Sequence, residues 1–240
     1  MTPPELLEHT ISTPNGKVPA LWMRPQAARA ALVLAHGAGT GMRHAFMEAM
    51  AARCAVHGLA TLRYEFPYTA AGSRRPDPQP VLLETVRAAV AVARRLGGDL
   101  PLIAGGKSMG GRMTTLAAAE EALNGVRGIV LVGFPLHGAG QVPGIARGDH
   151  LDKVEVPMLF LQGTRDALAD LNLMRGVCGR LGSRVTLHVV QGADHSFHVP
   201  KRSGRDDAMV LDELALSTVV WIETLALIAR RRQTRQEKAE

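Results

Sequence analysis

The stretch GGKSMGG, residues 105–111, decides the fold because it places a serine among glycines at the end of an apolar run. The run, Leu100–Ala104, predicts a buried strand, and the small residues that follow predict a helix. Residues 106–110 fit the pattern G-x-S-x-G of a nucleophile elbow, in which a tight turn lifts the serine hydroxyl above a sheet. Side chains two positions before and after the serine would collide with neighbouring backbone, which explains the glycines. Ser108 could instead cap the following helix.

Apolar runs alternate with amphipathic stretches along most of the chain. This alternation predicts an α/β fold, a three-layer α/β/α sandwich around a mostly parallel sheet, with an antiparallel hairpin at one edge. The predicted strands are Glu8–Ser12, Lys17–Met23, Ala31–Ala35, Leu59–Tyr64, Leu100–Ala104, Gly128–Gly133, Pro157–Gln162 and Arg184–Val190. The predicted helices are Met42–His57, Val81–Leu96, Met109–Leu123, Asp170–Leu181 and Asp206–Arg230.

One domain is predicted over residues 1–230. The chain has 240 residues and no internal repeat, a length that one buried core accommodates. The irregular stretch Phe134–Val156 is too short for a large inserted cap domain. Residues 231–240 are basic and polar and are predicted to form a disordered tail.

Charge and composition argue against several classes of partner. The formal net charge is +6, but half of it lies in the last eleven residues and the rest is dispersed, so no nucleic-acid partner is predicted. The chain has no uncharged apolar run of 18 residues and no signal-peptide pattern, so no membrane association is predicted. Cys54 and Cys178 form neither a disulfide framework nor a metal-ligand pattern. We therefore expect a cytoplasmic protein without metal or cofactor; nothing in the sequence indicates an oligomeric state.

Side chains with catalytic chemistry follow other predicted strands, where loops converge at the carboxyl edge of the sheet. A serine hydroxyl needs an adjacent base, and His195 follows the last strand, with His198 in the same loop as the alternative. Asp166 follows the preceding strand and is placed to orient the imidazole, with Asp170 as its competitor. The order Ser108, Asp166, His195 matches one known order of catalytic triad residues along a chain.

A loop of small residues, His36–Gly39, follows the first central strand. Acyl transfer needs hydrogen-bond donors aimed at the developing oxyanion, and small residues let backbone N–H groups approach a substrate closely. We expect the donors to be the backbone N–H groups of Ala38 and Met109, with Gly37 beside them. His36 is expected to hydrogen-bond within its own loop rather than to act as a base.

These motifs resemble those of small α/β-hydrolases of the dienelactone-hydrolase-like group. They are most similar to bacterial hydrolases related to a subunit of the eukaryotic non-specific lethal chromatin complex. The resemblance spans nearly the whole predicted domain and is most specific in GGKSMGGR, residues 105–112. The matching segments are His36–Gly39, Leu62–Pro67, Gly105–Arg112, Phe134–His137, Leu161–Asp166 and Asp194–Phe197.

The resemblance implies an α/β-hydrolase fold without a large cap domain and a triad of Ser108, Asp166 and His195. It further implies that a group of polar residues lines or braces the site: Arg63, Lys107, Arg112, His137 and Arg165. Gly37 is a further candidate substrate contact. In one respect this chain departs from the dienelactone hydrolases, which have cysteine at the elbow position of Ser108. Their specific reaction is therefore not implied.

Two functions are consistent with these residues. The first is a cofactor-free, carboxylesterase-like serine hydrolase that cleaves an ester, thioester or similar acyl bond of a small molecule through an acyl-enzyme intermediate. Transfer of the acyl group to an acceptor other than water would use the same residues. The alternative is a non-catalytic binding or complex-subunit protein of the same fold, which the eukaryotic relatives and the positive charge around the elbow motivate. The complete triad favours the hydrolase.

Overall fold

Strands and helices alternate along the chain, as predicted. The structure is a computed structural model that describes the backbone of residues 4–237 and the side chains of residues 4–227. The strands are β1 Glu5–Thr13, β2 Gly16–Arg24, β3 Ala30–Ala35, β4 Leu59–Tyr64, β5 Leu102–Lys107, β6 Val126–Val132, β7 Met158–Gly163 and β8 Val185–Val190. The helices are α1 Ala45–Val56, α2 Pro67–Ala70, α3 Gln79–Gly97, α4 Met109–Glu120, α5 Leu171–Leu181 and α6 Asp207–Glu237. Short 3₁₀ helices occupy Ala146–Lys153, Gly182–Arg184 and Lys201–Ser203.

The eight strands form one sheet in the order β1-β2-β4-β3-β5-β6-β7-β8. Strands β4 to β8 run parallel to β3, whereas β1 and β2 form the predicted antiparallel hairpin, and β2 pairs antiparallel with β4. Every residue of β3, β4 and β7 is buried. Strands covered on both faces are continuously apolar, which explains why the central strands were readable from the sequence.

Helices cover both faces of the sheet and enclose two apolar cores. On one face α3, α4 and α5 pack through residues such as Leu82, Met113 and Met174. On the other face α1 and α6 pack through Met50, Leu214 and neighbouring apolar side chains. This arrangement confirms the predicted three-layer sandwich. The segment between β6 and β7 contains a 3₁₀ helix and no separate cap domain.

The last helix continues beyond its predicted end. We expected it to stop at Arg230, but α6 runs to Glu237, so residues 231–237 of the predicted tail are helical. Arg, Gln and Glu are good helix formers, and this stretch has no Gly or Pro to stop the helix. The remainder of the predicted tail, residues 238–240, lies outside the described residues. Although α6 has 31 residues, no helix within residues 4–237 is long and apolar enough to cross a membrane.

Strand β5 contains a glycine at a point where the backbones of neighbouring strands come unusually close. A β-carbon on Gly105 would lie 2.0 Å from the carbonyl oxygen of Val130 in β6. The register between β5 and β6 shifts just before this point, between Leu102 and Ala104. Because neither backbone can move without disturbing the sheet, the position has no room for a side chain.

We expect Gly105→Ala to lower the free energy of unfolding by about 1–3 kcal/mol, the usual effect of overpacking a core. The matched control is Gly176→Ala in the middle of α5, where a β-carbon would meet nothing within 4 Å. That exchange should stabilise the helix by about 0.5–1 kcal/mol. Urea unfolding followed by circular dichroism measures both values. Equal effects at the two positions would contradict this account of the sheet.

Candidate active site

Ser108 stands in the sharp turn between β5 and α4, and its backbone has the strained conformation that the motif predicts. Its φ is 51° and its ψ is −115°, a region that residues other than glycine rarely adopt. A β-carbon on Gly106 would lie 2.6 Å from the carbonyl oxygen of Ala35, and one on Gly110 would lie 2.5 Å from the same atom. The Ser108 side chain makes no capping hydrogen bond to α4, so its hydroxyl is not used as a helix cap.

Ser108, His195 and Asp166 form one hydrogen-bonded line. Nδ1 of His195 lies 2.9 and 2.8 Å from the two carboxylate oxygens of Asp166, and Nε2 lies 2.9 Å from Oγ of Ser108. An ionised carboxylate only accepts hydrogen bonds, so Nδ1 carries the proton and donates it to Asp166. Nε2 of a neutral imidazole is then left as an acceptor for the serine hydroxyl.

Asp166 is held in place by donors other than the imidazole. Its side chain is 1% exposed and accepts hydrogen bonds from Nε2 of Gln162 at 2.6 Å and from the backbone N–H of Leu168 at 2.8 Å. The role of Gln162 was not predicted from the sequence. Its signal was a polar residue within the apolar strand β7, where it is fully buried. A buried amide at that position needs a polar partner, and Asp166 provides it.

A compact turn carries His195. The carboxylate of Asp194 accepts the backbone N–H groups of Ser196 at 2.8 Å and of His198 at 3.0 Å. The backbone N–H of Asp194 donates to the carbonyl of His198 at 3.0 Å. Phe197 has a φ of 66°, the only positive value besides that of Ser108 at a non-glycine residue in the described chain. These bonds close the turn and fix the direction of the His195 ring.

The two competing residues from the sequence have other partners. His198 pairs through Nδ1 with Asp207 at the start of α6, and its side chain is 66% exposed. Asp170 caps α5 by accepting two backbone N–H groups of the first turn, at 2.9 and 3.0 Å. His195 is therefore the histidine of its pair that reaches the Ser108 hydroxyl, and Asp166 is the aspartate of its pair that reaches the His195 ring.

The loop after β3 lies against the elbow. A β-carbon on Gly37 would be 3.7 Å from the β-carbon of Ser108. His36 holds this loop, because its Nδ1–H donates to the Gly37 carbonyl at 2.8 Å and its Nε2 accepts the backbone N–H of Phe66 at 3.2 Å. The expectation that His36 bonds within its loop is thus confirmed. Ala38 follows Gly37 directly in this loop.

A cavity of about 610 Å³ opens beside Ser108. Helix α1, the turn of His195 and the start of α6 form its walls, and Gly37 and Ala38 form part of its rim. Met109 is the first residue of α4, and N–H groups in the first turn have no acceptor inside the helix. The lining residues are Gly37, Ala38, Thr40, His44, Ala45, Phe46, Met47, Ala49, Lys107, Ser108, His195, Ser196, Phe197, His198, Asp207 and Leu211.

Arg63, Arg112 and His137, which we expected to contact substrate, are not among the lining residues of this cavity. Arg63 is buried and donates to the Met42 carbonyl at 2.9 Å, below the loop after β3. Nδ1 of His137 contacts the carbonyl oxygen of the next residue at 3.0 Å. Burial, and then the nearby positive charge of Arg147, lowers the pKa of Arg112. Arg63 and His137 are thus buried in the body of the domain, and Arg112 is half-buried at the first turns of α4.

Arg165 braces the loop of the base. Its backbone N–H donates to the carbonyl of Ala193 at 2.9 Å, and its guanidinium reaches the carbonyl of Gly192 at 3.4 Å. Both acceptors precede the turn that carries His195. Of the expected polar residues, Lys107 is the one that lines the cavity.

The amino group of Lys107 lies beside two stacked aromatic rings. Its Nζ lies 6.0 Å from the ring centre of Phe46 and 5.6 Å from that of Phe197. Burial lowers the pKa of Lys107 to about 8, although the negative charges of Asp166 and Asp194 act in the opposite direction. Desolvation therefore outweighs the attraction of the surrounding carboxylates.

Neither a thiol nor a metal offers alternative chemistry among the described residues. Burial raises the pKa of Cys54 to about 12 and that of Cys178 to about 11, so both thiols stay neutral. Within the described part of the chain, no group of three His, Cys, Asp or Glu side chains is arranged to hold a metal ion.

We expect Lys107→Met to raise the free energy of unfolding at pH 7 by about 1–3 kcal/mol, because it removes a polar group that the fold desolvates. The pKa of Lys107 is about 8 in the folded chain against an ordinary 10.5. Between these two pH values the amino group is therefore protonated more often in the unfolded chain than in the folded one. Wild-type stability then rises with pH through that window, and the advantage of the variant shrinks from pH 8 to 10.5.

Thermal unfolding of wild type and Lys107→Met at several pH values measures this difference. The exposed lysine Lys153 provides the control, since Lys153→Met should leave the melting temperature nearly unchanged. A Lys107→Met protein less stable than wild type at pH 7 would overturn the assignment of Lys107 as an unfavourable buried charge.

Comparison with known proteins agrees with this geometry. Residues 28–223 match the alpha/beta hydrolase domain family. Dienelactone hydrolase from Anabaena variabilis is 20% identical with a TM-score of 0.74, covering 93% of this chain and 99% of that one. A serine hydrolase without a lid from Xanthomonas campestris is 19% identical with a TM-score of 0.70, covering 92% and 97%. Est1E from Butyrivibrio proteoclasticus is 16% identical with a TM-score of 0.67, covering 90% and 99%. These structures share the fold, and the family match over most of the chain shows that it belongs to the alpha/beta hydrolases.

Proposed function

We propose that this hydrolase is a carboxylesterase-like serine hydrolase that cleaves an ester, thioester or similar acyl bond through an acyl-enzyme intermediate. The observation that carries the proposal is the line from the Ser108 hydroxyl to His195 to Asp166, with both hydrogen-bonded distances below 3.0 Å. A serine hydroxyl is a weak nucleophile on its own, and this line supplies the base that activates it.

In the first half of the reaction, the Ser108 oxygen attacks the acyl carbon while Nε2 of His195 accepts the hydroxyl proton. Asp166 stabilises the imidazolium that results, because its carboxylate already accepts the hydrogen bond from Nδ1. The tetrahedral oxyanion would receive hydrogen bonds from the backbone N–H groups of Met109 and Ala38. The bond to the leaving alcohol or thiol then breaks, and His195 returns the proton to that group.

In the second half, water enters and His195 removes one of its protons. The water oxygen attacks the acyl-enzyme, the Ser108 oxygen leaves, and the imidazolium protonates it. One water is consumed, one acid is released and the free hydroxyl is restored. An acceptor other than water would be activated by the same imidazole, so acyl transfer would need no additional group.

The proposed substrate is a small molecule with an accessible acyl bond. The absence of a separate cap domain between β6 and β7 leaves the cavity beside Ser108 reachable from one side of the sheet. A location in the cytoplasm and a reaction without a cofactor stay predictions from the sequence.

Ser108→Ala should abolish turnover of p-nitrophenyl acetate and butyrate, since it removes the only atom proposed to bond to the acyl carbon. Ser196→Ala is the matched control, because Ser196 lines the same cavity beside His195 and its variant should keep wild-type turnover. A fluorophosphonate probe should label wild type once per chain, at Ser108, and should not label Ser108→Ala. Folded wild-type protein that neither turns over these esters nor reacts with the probe would favour the non-catalytic binding alternative.

Asp166→Asn should lower kcat by about 10³–10⁴-fold, because an amide no longer fixes the tautomer and charge of the imidazole. Asp170→Asn, four residues away, should keep kcat near wild type because asparagine also caps a helix well. Steady-state rates on p-nitrophenyl butyrate compare the two. Equal losses would show that the carboxylates act through loop stability rather than through the imidazole.

A further inference from the structure

The cavity beside Ser108 is largely apolar, and one cationic side chain reaches into it from the strand that carries the nucleophile. Phe46 and Phe197 contribute stacked rings to its wall, with centres 5.9 Å apart. Lys107 precedes Ser108 directly, so the cation and the nucleophile are fixed to the same rigid strand end. Lys107 and Ser108 line the same cavity.

No anionic partner is assigned to this cation within the described chain. Among the residues whose side chains the structure describes, no carboxylate lies within 4.0 Å of Nζ of Lys107, and Nζ makes no hydrogen bond. A β-carbon on Gly133 would lie 3.2 Å from Nζ and 3.5 Å from the carbonyl oxygen of His195. The amino group is thus packed against the turn of the catalytic base, without a bond to it.

The carboxylates nearest to the cavity are already engaged. Asp166 accepts hydrogen bonds from His195 and Gln162, and Asp194 closes the turn of the base. Asp207, on the wall formed by α6, is paired with His198. A partly buried ammonium whose neighbours are all committed elsewhere is a binding group for an external anion.

We propose that the substrate carries a carboxylate and that the Lys107 ammonium pairs with it in this cavity, which makes Lys107 a specificity-determining residue. The proposal rests on the proposed function, since it names the substrate class of the same hydroxyl. The aromatic walls exclude water and strengthen the attraction between the two charges. The same rings would favour the aliphatic or aromatic spacer between the carboxylate and the scissile bond.

A purely structural role is the competing explanation, because an ammonium within about 6 Å of an aromatic ring centre gains a cation–π attraction. Such a contact holds the wall of the cavity but does not distinguish charged from neutral substrates. The decisive measurement is therefore the ratio of kcat/KM for a charged ester to kcat/KM for a neutral one. A change in total activity alters both values equally and leaves this ratio unchanged.

The experiment compares kcat/KM for a carboxylate ester and for its neutral isostere. Monoethyl succinate against ethyl 4-methylpentanoate tests a carboxylate on the acyl side, and 4-acetoxybenzoate against 4-acetoxybenzamide tests one on the alcohol side. We expect wild type to prefer the charged ester of at least one pair by about tenfold or more, as a charge-assisted hydrogen bond provides. The pair of esters that shows the preference tells whether the bound carboxylate lies on the acyl side or on the alcohol side of the scissile bond.

The preference should fall to about one in Lys107→Met. Lys153→Met is the control, because it removes the same charge at an exposed position far from Lys107 in the sequence. It should keep the preference for the charged ester. That result would show that steering by the net charge of the chain does not cause the preference. Fluorophosphonate labelling of Ser108 in Lys107→Met verifies that the nucleophile still works. A preference that survives in Lys107→Met would overturn the assignment.

The wild-type protein gives a second test, which needs no variant. Because the pKa of Lys107 is about 8, the preference should decline as pH rises from 7 to 9. The other titratable groups that face the cavity or the amino group are Asp166, Asp194, His195, His44, His198 and Asp207. Both esters of a pair use the same hydroxyl and imidazole, so titration of the base cancels in the ratio.

The outcomes separate this inference from the proposed function. Labelling of Ser108 with hydrolysis of neutral esters but no preference for either charged ester would refute the carboxylate site alone. Folded protein that shows no labelling and no hydrolysis of any ester would refute the serine hydrolase itself. A preference that is lost in Lys107→Met and declines above pH 8 supports both.

Discussion

Close backbone contact between the end of β3 and the start of α4 is the constraint on which the site depends. The carbonyl oxygen of Ala35 lies where side chains on Gly106 or Gly110 would begin, so the turn at Ser108 exists only with glycine on both sides. The same contact brings Gly37 against the nucleophile. A wider separation would move α4 away from the sheet, and the hydroxyl would lose its position relative to the imidazole.

The three hydrogen-bonded side chains that we propose to be catalytic come from three different strand ends. Ser108 follows β5, Asp166 follows β7 and His195 follows β8, and β5 and β7 are buried along nearly their whole length. Each group is then fixed by local bonds: strained backbone at the serine, Gln162 at the carboxylate and the Asp194 turn at the imidazole. Rigid strands and short loops therefore hold three side chains within hydrogen-bonding distance.

The sequence predicted those parts of the fold and site that have a strong periodic or motif signal. Central strands are mostly apolar, and the glycines at the elbow have one steric explanation, so both could be predicted. The direction of a long side chain has no such signal. Arg63 and Arg112 lie within matching segments but do not line the cavity, and only packing decides this. Gln162 was missed because the sequence does not show that the Asp166 carboxylate, just past the end of β7, accepts a hydrogen bond from its side chain.

The end of α6 and the surroundings of Lys107 also could not be predicted from the sequence, each for a different reason. Arginine-rich polar sequence is compatible with both a frayed tail and a continued helix, and propensities differ little between the two. Whether a carboxylate comes within ion-pairing distance of the Lys107 amino group depends on where Asp166, Asp194 and Asp207 place their oxygens. Those positions follow from turns and pairs far apart in the chain, which no local pattern contains.

The cavity and the hydrogen-bonded line of Ser108, His195 and Asp166 are built from separate parts of the molecule. The line stands on the ends of β5, β7 and β8, whereas α1 and the start of α6 provide much of the cavity wall, through residues such as Phe46, Ala49 and Leu211. These helices pack on the face of the sheet opposite α3, α4 and α5. Exchanges along α1 and α6 are therefore a route by which descendants of this gene can acquire new substrates while inheriting an unchanged chemical centre.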